Sequence, residues 1–117
     1  MLKYVFAFAA IAALAGTQAG AADRRLIIRN HAGQSIYNIY GSNTSESSYG
    51  RDRLGSDDVI IDGEDKIVDF GDGTDACYFD LKAVFKNGRT VYGKHVNVCD
   101  AIMWVFRADT NEFVYQH

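Results

Sequence analysis

Carboxylates crowd one stretch of this chain. Asp57, Asp58, Asp62, Glu64, Asp65, Asp69, Asp72 and Asp75 all fall between residues 57 and 75. Calcium takes about six to eight oxygen ligands, and flexible Asp/Gly loops can supply them. Asp62, Glu64, Asp72 and Asp75 are therefore the candidate metal ligands, with calcium as the ion. The spacing departs from that of an EF-hand loop, because glycines stand at 71 and 73, where that motif, started at Asp69, needs oxygen donors. Asp and Gly also suit the backbone angles of tight turns, and the turn reading is preferred over a cofactor.

Catalytic chemistry has little to draw on. The histidines are His31, His95 and His117. In an unbulged hairpin Asp80 falls opposite His95, an orienting pair of the kind found in hydrolytic sites. No G-x-S-x-G elbow accompanies it, and the groups do not add up to a base, an orienter and an oxyanion site. A small hydrolase built on Asp80 and His95 is the weakest reading, and no catalytic residue is assigned.

Recognition chemistry is better represented. Gly41 to Gly55 reads as a long polar connection containing Ser42-Asn43-Thr44-Ser45-Glu46-Ser47-Ser48. Long connections in compact domains are commonly functional or disordered, and Tyr, Ser and Asn make adaptable contacts. Ser42, Asn43, Ser45, Tyr49 and Arg51 are the candidate ligand- or partner-binding residues. Asn43-Thr44-Ser45 matches a eukaryotic glycosylation sequon, which the bacterial-type export pattern sets aside. Trp104, within an apolar run, is expected in the core. Were Tyr37, Tyr78 or Trp104 exposed instead, a sugar or a protein could dock on them.

The ends of the chain set the compartment. Lys3 precedes the apolar run Tyr4 to Ala15, and small residues lead to Ala19-Gly20-Ala21. This is the pattern of a secretory signal peptide over residues 1–21. The run is shorter than the roughly 20 apolar residues of a bilayer span, so no membrane span is expected after cleavage. The remainder, 22–117, has room for one domain. Losing Lys3 leaves eleven basic against fifteen acidic side chains, a net charge of −4. Nucleic acid and anionic membranes demand concentrated Lys and Arg and are excluded as partners. A periplasmic or secreted monomer is expected. In that oxidising setting Cys77 and Cys99 are most simply an intrachain disulfide. With no C-x-x-C, a redox or zinc role is the lesser alternative.

Positioning falls to short strands. β-branched and aromatic runs separated by Gly, Asn and Asp are expected at 26–30, 35–40, 66–70, 77–86, 89–98, 102–107 and 112–116, with a short strand or bend at 59–61. The clearest runs from Cys77 to Lys86, with Cys77, Phe79, Leu81, Ala83 and Phe85 on one face. Asn87-Gly88 predicts a type I′ hairpin. About seven strands indicate a small antiparallel β-sandwich, with a small β-barrel as the alternative. The two-residue turn places Val98, not Cys99, opposite Cys77. Either a bulge at Gly93 realigns the cysteines, or Cys99 lies just past the strand. No proline is present.

From residue 24 onward the chain resembles a family of small secreted proteobacterial proteins of unknown function. The resemblance rests on Asn30 and Gly33, Ile36 to Ser42, Tyr49 to Gly55, Asp62-Gly63-Glu64, Cys77 to Val84, Asn87-Gly88 and Val98-Cys99. Its most specific part is Cys77-x-x-Asp80-Leu81 with the partner Cys99. Relatives tend to carry proline after the residue matching Ser42 and tryptophan at the position of Tyr49, which implies a less constrained loop and a smaller aromatic plug here. The resemblance implies a secreted, disulfide-bonded β-sandwich and brings neither catalytic residue nor ligand. The functional expectation is an exported non-catalytic module that binds an unknown protein or glycan, an inhibitor of a foreign hydrolase being one concrete form. A calcium-stabilised structural domain is the alternative.

Overall fold

The computed structural model describes residues 23–116. The expected leader, its cleavage point and His117 lie outside the described residues. Seven strands follow in order: β1 (Arg25–Asn30), β2 (Ile36–Asn43), β3 (Asp65–Asp69), β4 (Tyr78–Phe85), β5 (Thr90–Asn97), β6 (Ala101–Phe106) and β7 (Asn111–Tyr115). They form a four-stranded sheet, β3-β1-β6-β7, and a three-stranded sheet, β2-β4-β5. The two sheets do not close into a barrel, so the sandwich is the architecture. Residues 59–61 add only a bridge from Ile60 to Ile36.

One pairing departs from the antiparallel expectation: β1 and β6 run parallel, with Ile27 beside Met103 and Ile28 beside Trp104. The turn at 98–100 carries the chain from one sheet to the other and delivers it to the end where β1 begins. β6 therefore starts alongside β1 and runs with it.

Alternation along the strands writes the core. On β4 Phe79, Leu81, Ala83 and Phe85 are buried; Leu26 and Ile28 on β1 and Trp104 and Phe106 on β6 face them from the other sheet. Each fully buried side chain of this kind contributes about 1.5–3 kcal/mol. Trp104 is wholly buried, stacked on Phe113 at 4.8 Å, and its indole N–H donates to Asn111 Oδ1 at 2.9 Å. Asn30, at the end of β1, is a fully buried polar residue. Its side-chain amide donates to the carbonyls of Gln34 and Ile60, both at 2.8 Å, and its oxygen accepts the Ala32 amide at 3.0 Å. Those three bonds offset its desolvation.

The β4–β5 hairpin differs from expectation in an informative way. Phe85 N–H donates to the Arg89 carbonyl, and Gly88 N–H to the Phe85 carbonyl, each at 2.9 Å. The loop is therefore three residues, Lys86 to Gly88. Only Gly88 takes a left-handed φ, of 90°. Asn87 uses its side chain, whose oxygen accepts the Arg89 amide at 2.9 Å. A three-residue loop with glycine in the left-handed position closes a hairpin as well as a two-residue one, and it moves the register by one. Leu81 then pairs with Gly93, and beyond Asp80 the register shifts so that Phe79 pairs with Val96. The bulge lies at Lys94–His95, where His95 has φ of 54°, and not at Gly93. Gly93 serves another purpose: a Cβ there would lie 2.7 Å from Phe113 Cζ.

Because the second shift cancels the first, Val98 N–H donates to the Cys77 carbonyl at 2.8 Å, and Cys99 sits just past β5. The Cys77–Cys99 disulfide, with its Cα atoms 5.3 Å apart, joins the start of β4 in one sheet to the turn entering β6 in the other.

Candidate recognition surface

The outer face of the three-stranded sheet is laid out by register. Tyr40 on β2 pairs with Lys82 on β4, which pairs with Tyr92 on β5. The next row sets Ser42 opposite Asp80, which meets the Lys94–His95 bulge. Alternation explains why these side chains share a face, since their neighbours Ile39, Gly41, Leu81, Ala83 and Val91 point into the core.

A segment after β2 folds over this face. β2 continues to Asn43, so the connection is shorter than expected and begins at Thr44. Its far end is pinned along β2: Asp52 Oδ1 accepts the amides of Ile39 and Leu54 at 3.1 and 3.0 Å, and Oδ2 accepts Asn38 Nδ2 at 2.8 Å. Arg53 N–H donates to the Ile39 carbonyl at 2.6 Å. The Arg53 guanidinium reaches the Gly41 carbonyl at 2.7 Å and that of Gly71 at 3.3 Å, bracing the loop against the β3–β4 connection. Burial pulls its pKa down from the ordinary arginine value, Arg51 adds to that, and Asp72 and Asp69 oppose it.

These anchors set Tyr49 over the sheet. Its ring lies 4.9 Å from Lys82 Nζ and 5.3 Å from Lys94 Nζ. Lys82 Nζ is also 4.9 Å from the Tyr40 ring, and Lys94 Nζ 5.5 Å from Tyr92. Rings and cations thus alternate as Tyr40, Lys82, Tyr49, Lys94, Tyr92. Each contact contributes about 0.5–1 kcal/mol at an exposed site. Lys94 Nζ also donates to the Tyr49 hydroxyl at 2.7 Å. That bond holds the Lys94 pKa above its usual value, against a slight desolvation of this exposed side chain and with help from the charges of Tyr49, Asp80 and Tyr92. Neither Lys82 nor Lys94 forms an ion pair with a carboxylate among the described residues. Beside the ladder a cleft of about 130 Å³ is lined by Ser42, Glu46, Ser48, Tyr49, Asp80 and Lys94.

Comparison with protein families, curated proteins and solved structures returns no match.

Of the candidate binding residues, Ser42 and Tyr49 come together in the cleft, where Ser42 Oγ donates to the Ser48 carbonyl at 2.5 Å. Asn43 and Ser45 serve the loop itself. Asn43 is buried, its amide donates to Asp72 Oδ2 at 2.9 Å, and its oxygen accepts both the amide and the hydroxyl of Ser45. Arg51 is exposed and lies outside the cleft lining. Sequence reasoning missed Lys82, Lys94, Tyr40 and Tyr92. Alternation marks Lys82 as outward, but the meeting of these four depends on the hairpin register.

The acidic candidates separate into two pairs at opposite ends of β3. Asp62 Oδ1 accepts the Gly33 amide at 2.9 Å and Glu64 Oε1 the Ile61 amide at 3.2 Å. Beyond the other end, Asp72 Oδ1 accepts the Thr74 amide at 3.0 Å, while Asp75 is exposed in the same loop. The strand between them keeps the four from sharing one ion, and among the described residues no three His, Cys, Asp or Glu side chains gather as a metal site. In the Asp80–His95 pair the carboxylate engages the histidine's backbone. Asp80 Oδ1 accepts the His95 backbone amide at 2.9 Å, and the imidazole stacks on Tyr78 at 4.5 Å.

No helix among the described residues is long and apolar enough to cross a membrane. The other sheet also presents an apolar row, exposed at Ile67 and Val114 and half-buried at Ile27 and Met103, adjacent by register across all four strands.

Proposed function

We propose that the chain is an exported, non-catalytic binding module, acting in the periplasm or outside the cell as a monomer. It engages a protein or glycan through the outer face of the three-stranded sheet and the 44–50 segment. The observation that carries this reading is the tyrosine–lysine ladder: aromatic rings and unpaired ammoniums held in a fixed array on a rigid sheet, with a polar cleft beside it. Exposed aromatic surface with a few placed polar groups is what recognition sites use. Export follows from the N-terminal pattern and is in keeping with the Cys77–Cys99 disulfide. Inhibition of a foreign hydrolase is one form the binding could take.

The test is capture of partners from a periplasmic extract and from cell-wall material by the immobilised mature protein. Removal of residues 43–48, or Tyr92→Ala, is expected to abolish capture. Undiminished capture by both variants would show that binding, if any, occurs elsewhere.

A further inference from the structure

We propose that this face takes an acidic saccharide, one whose sugar rings each carry a carboxylate; the inference rests on the binding-module reading and names its ligand. Among the described residues Lys82 Nζ, half-buried with its side chain and 4.9 Å from both the Tyr40 and the Tyr49 ring centroids, donates no hydrogen bond. Its N–H donors are thus not taken up by an acceptor of the described chain. Lys94 Nζ uses one donor on Tyr49 and keeps the others. Tyr92 and Tyr78, 54% and 46% exposed, offer ring surface to the C–H face of a pyranose. The Ser47 and Ser48 hydroxyls around the cleft suit sugar hydroxyls as donors and acceptors, and Ser42 Oγ, whose proton goes to the Ser48 carbonyl, as an acceptor. A cleft of about 130 Å³, below the few hundred Å³ of a drug-sized pocket, admits one sugar unit while its neighbours run over Tyr92.

Competing ligands fit less well. A peptide adding as a strand needs a free, regular sheet edge. The β5 edge is broken by the bulge at His95, and β2 is covered by Asp52 and Arg53. A dense polyanion such as nucleic acid meets Glu46 and Asp80 beside the lysines, which keep the local charge low. One carboxylate per ring matches two spaced ammoniums and leaves the acidic flanks facing hydroxyls.

The experiment is calorimetric or NMR titration of the disulfide-bonded mature protein with oligomers of galacturonate and of mannuronate, each beside its methyl ester. The ester keeps the ring and removes the charge. Saturable binding is expected for at least one acid, about a hundredfold weaker for its ester, in line with two lost charge-assisted contacts of about tenfold each. Lys82→Gln and Lys94→Gln should each weaken binding about tenfold, and Lys94→Arg should largely retain it. Melting temperatures of the variants confirm folding. Equal affinity for acid and ester overturns the acidic class, and so does binding indifferent to both lysine changes. Absence of saturable binding to every oligomer overturns the inference as well. The wider reading fails separately, on capture that survives loss of residues 43–48 and Tyr92→Ala.

Discussion

The carboxylate of Asp80 accepts the backbone amide of His95 at 2.9 Å while the His95 ring lies flat on Tyr78. This contact closes the one irregularity in the β4–β5 ladder. A left-handed φ costs a residue with a side chain about 1–2 kcal/mol, and His95 adopts one at 54°. The Asp80 bond and the Tyr78 stack offset that cost. Bulges at sheet edges also discourage pairing with other chains, so the same feature protects the β5 edge.

Asp80→Ala is therefore expected to destabilise the fold by about 1 kcal/mol and to speed hydrogen exchange at the His95 amide. Asp80→Asn keeps a side-chain oxygen in place and should stay close to the parent in both. Unchanged exchange in Asp80→Ala would mean that packing alone holds the bulge.

Two glycines are needed for space. A Cβ on Gly41 would lie 2.6 Å from Phe70 Cδ1 and 2.7 Å from Leu81 Cδ2, and one on Gly93 would lie 2.7 Å from Phe113 Cζ. Phe70 and Leu81 are fully buried, whereas Phe113 is only partly so. Overpacking a closed core costs about 1–3 kcal/mol, while a half-exposed ring can swing aside. Gly41→Ala should accordingly cost more than Gly93→Ala in chemical denaturation, and the reverse order would place the tighter packing under β7.

These features differ in how far local sequence could reveal them. The Cys77–Phe85 face was legible because residue types alternate with the period of a strand, and Trp104 because apolar residues flank it on both sides. Register was not. Asn87-Gly88 is compatible with two- and three-residue loops, and nothing near Gly93 announces that its space belongs to Phe113, twenty residues on. The ladder inherits that difficulty: Tyr40, Lys82 and Tyr92 become neighbours only once two cross-strand registers are settled. Asn43 misled for the opposite reason, since an amide suited to a ligand is equally suited to tying a loop to Asp72.

The disulfide encloses a loop with a sequence separation of 22. In the chain-entropy account a loop of that size stabilises by about 3 kcal/mol, a large share of the stability of a domain this small. The bond also ties the start of β4 to the crossing between sheets. Replacing both cysteines with alanine should lower the melting temperature by roughly 12–24 °C, at about 4–8 °C per kcal/mol. A drop of only a few degrees would show that hydrogen bonds such as that from Val98 to the Cys77 carbonyl hold the crossing unaided.

Asp72 links the acidic stretch to the recognition loop, through Thr74 on one oxygen and Asn43 on the other. Burial pushes its pKa up, but the hydrogen bonds from Thr74 and Asn43 and the charge of Arg53 outweigh that and leave it below the ordinary aspartate value. A depressed pKa in the folded state means stability that is present above about pH 4, the unfolded value, and lost as pH falls through the folded one. The protein should thus lose stability on acidification below about pH 4, and Asp72→Asn should flatten part of that slope. Because the carboxylates of Asp62, Glu64 and Asp72 already accept backbone amides as turn residues, millimolar calcium is expected to leave the melting temperature unchanged. A rise with calcium, reversed by chelator, would instead make the acidic loops an ion site and would predict that Asp72→Asn abolishes the rise.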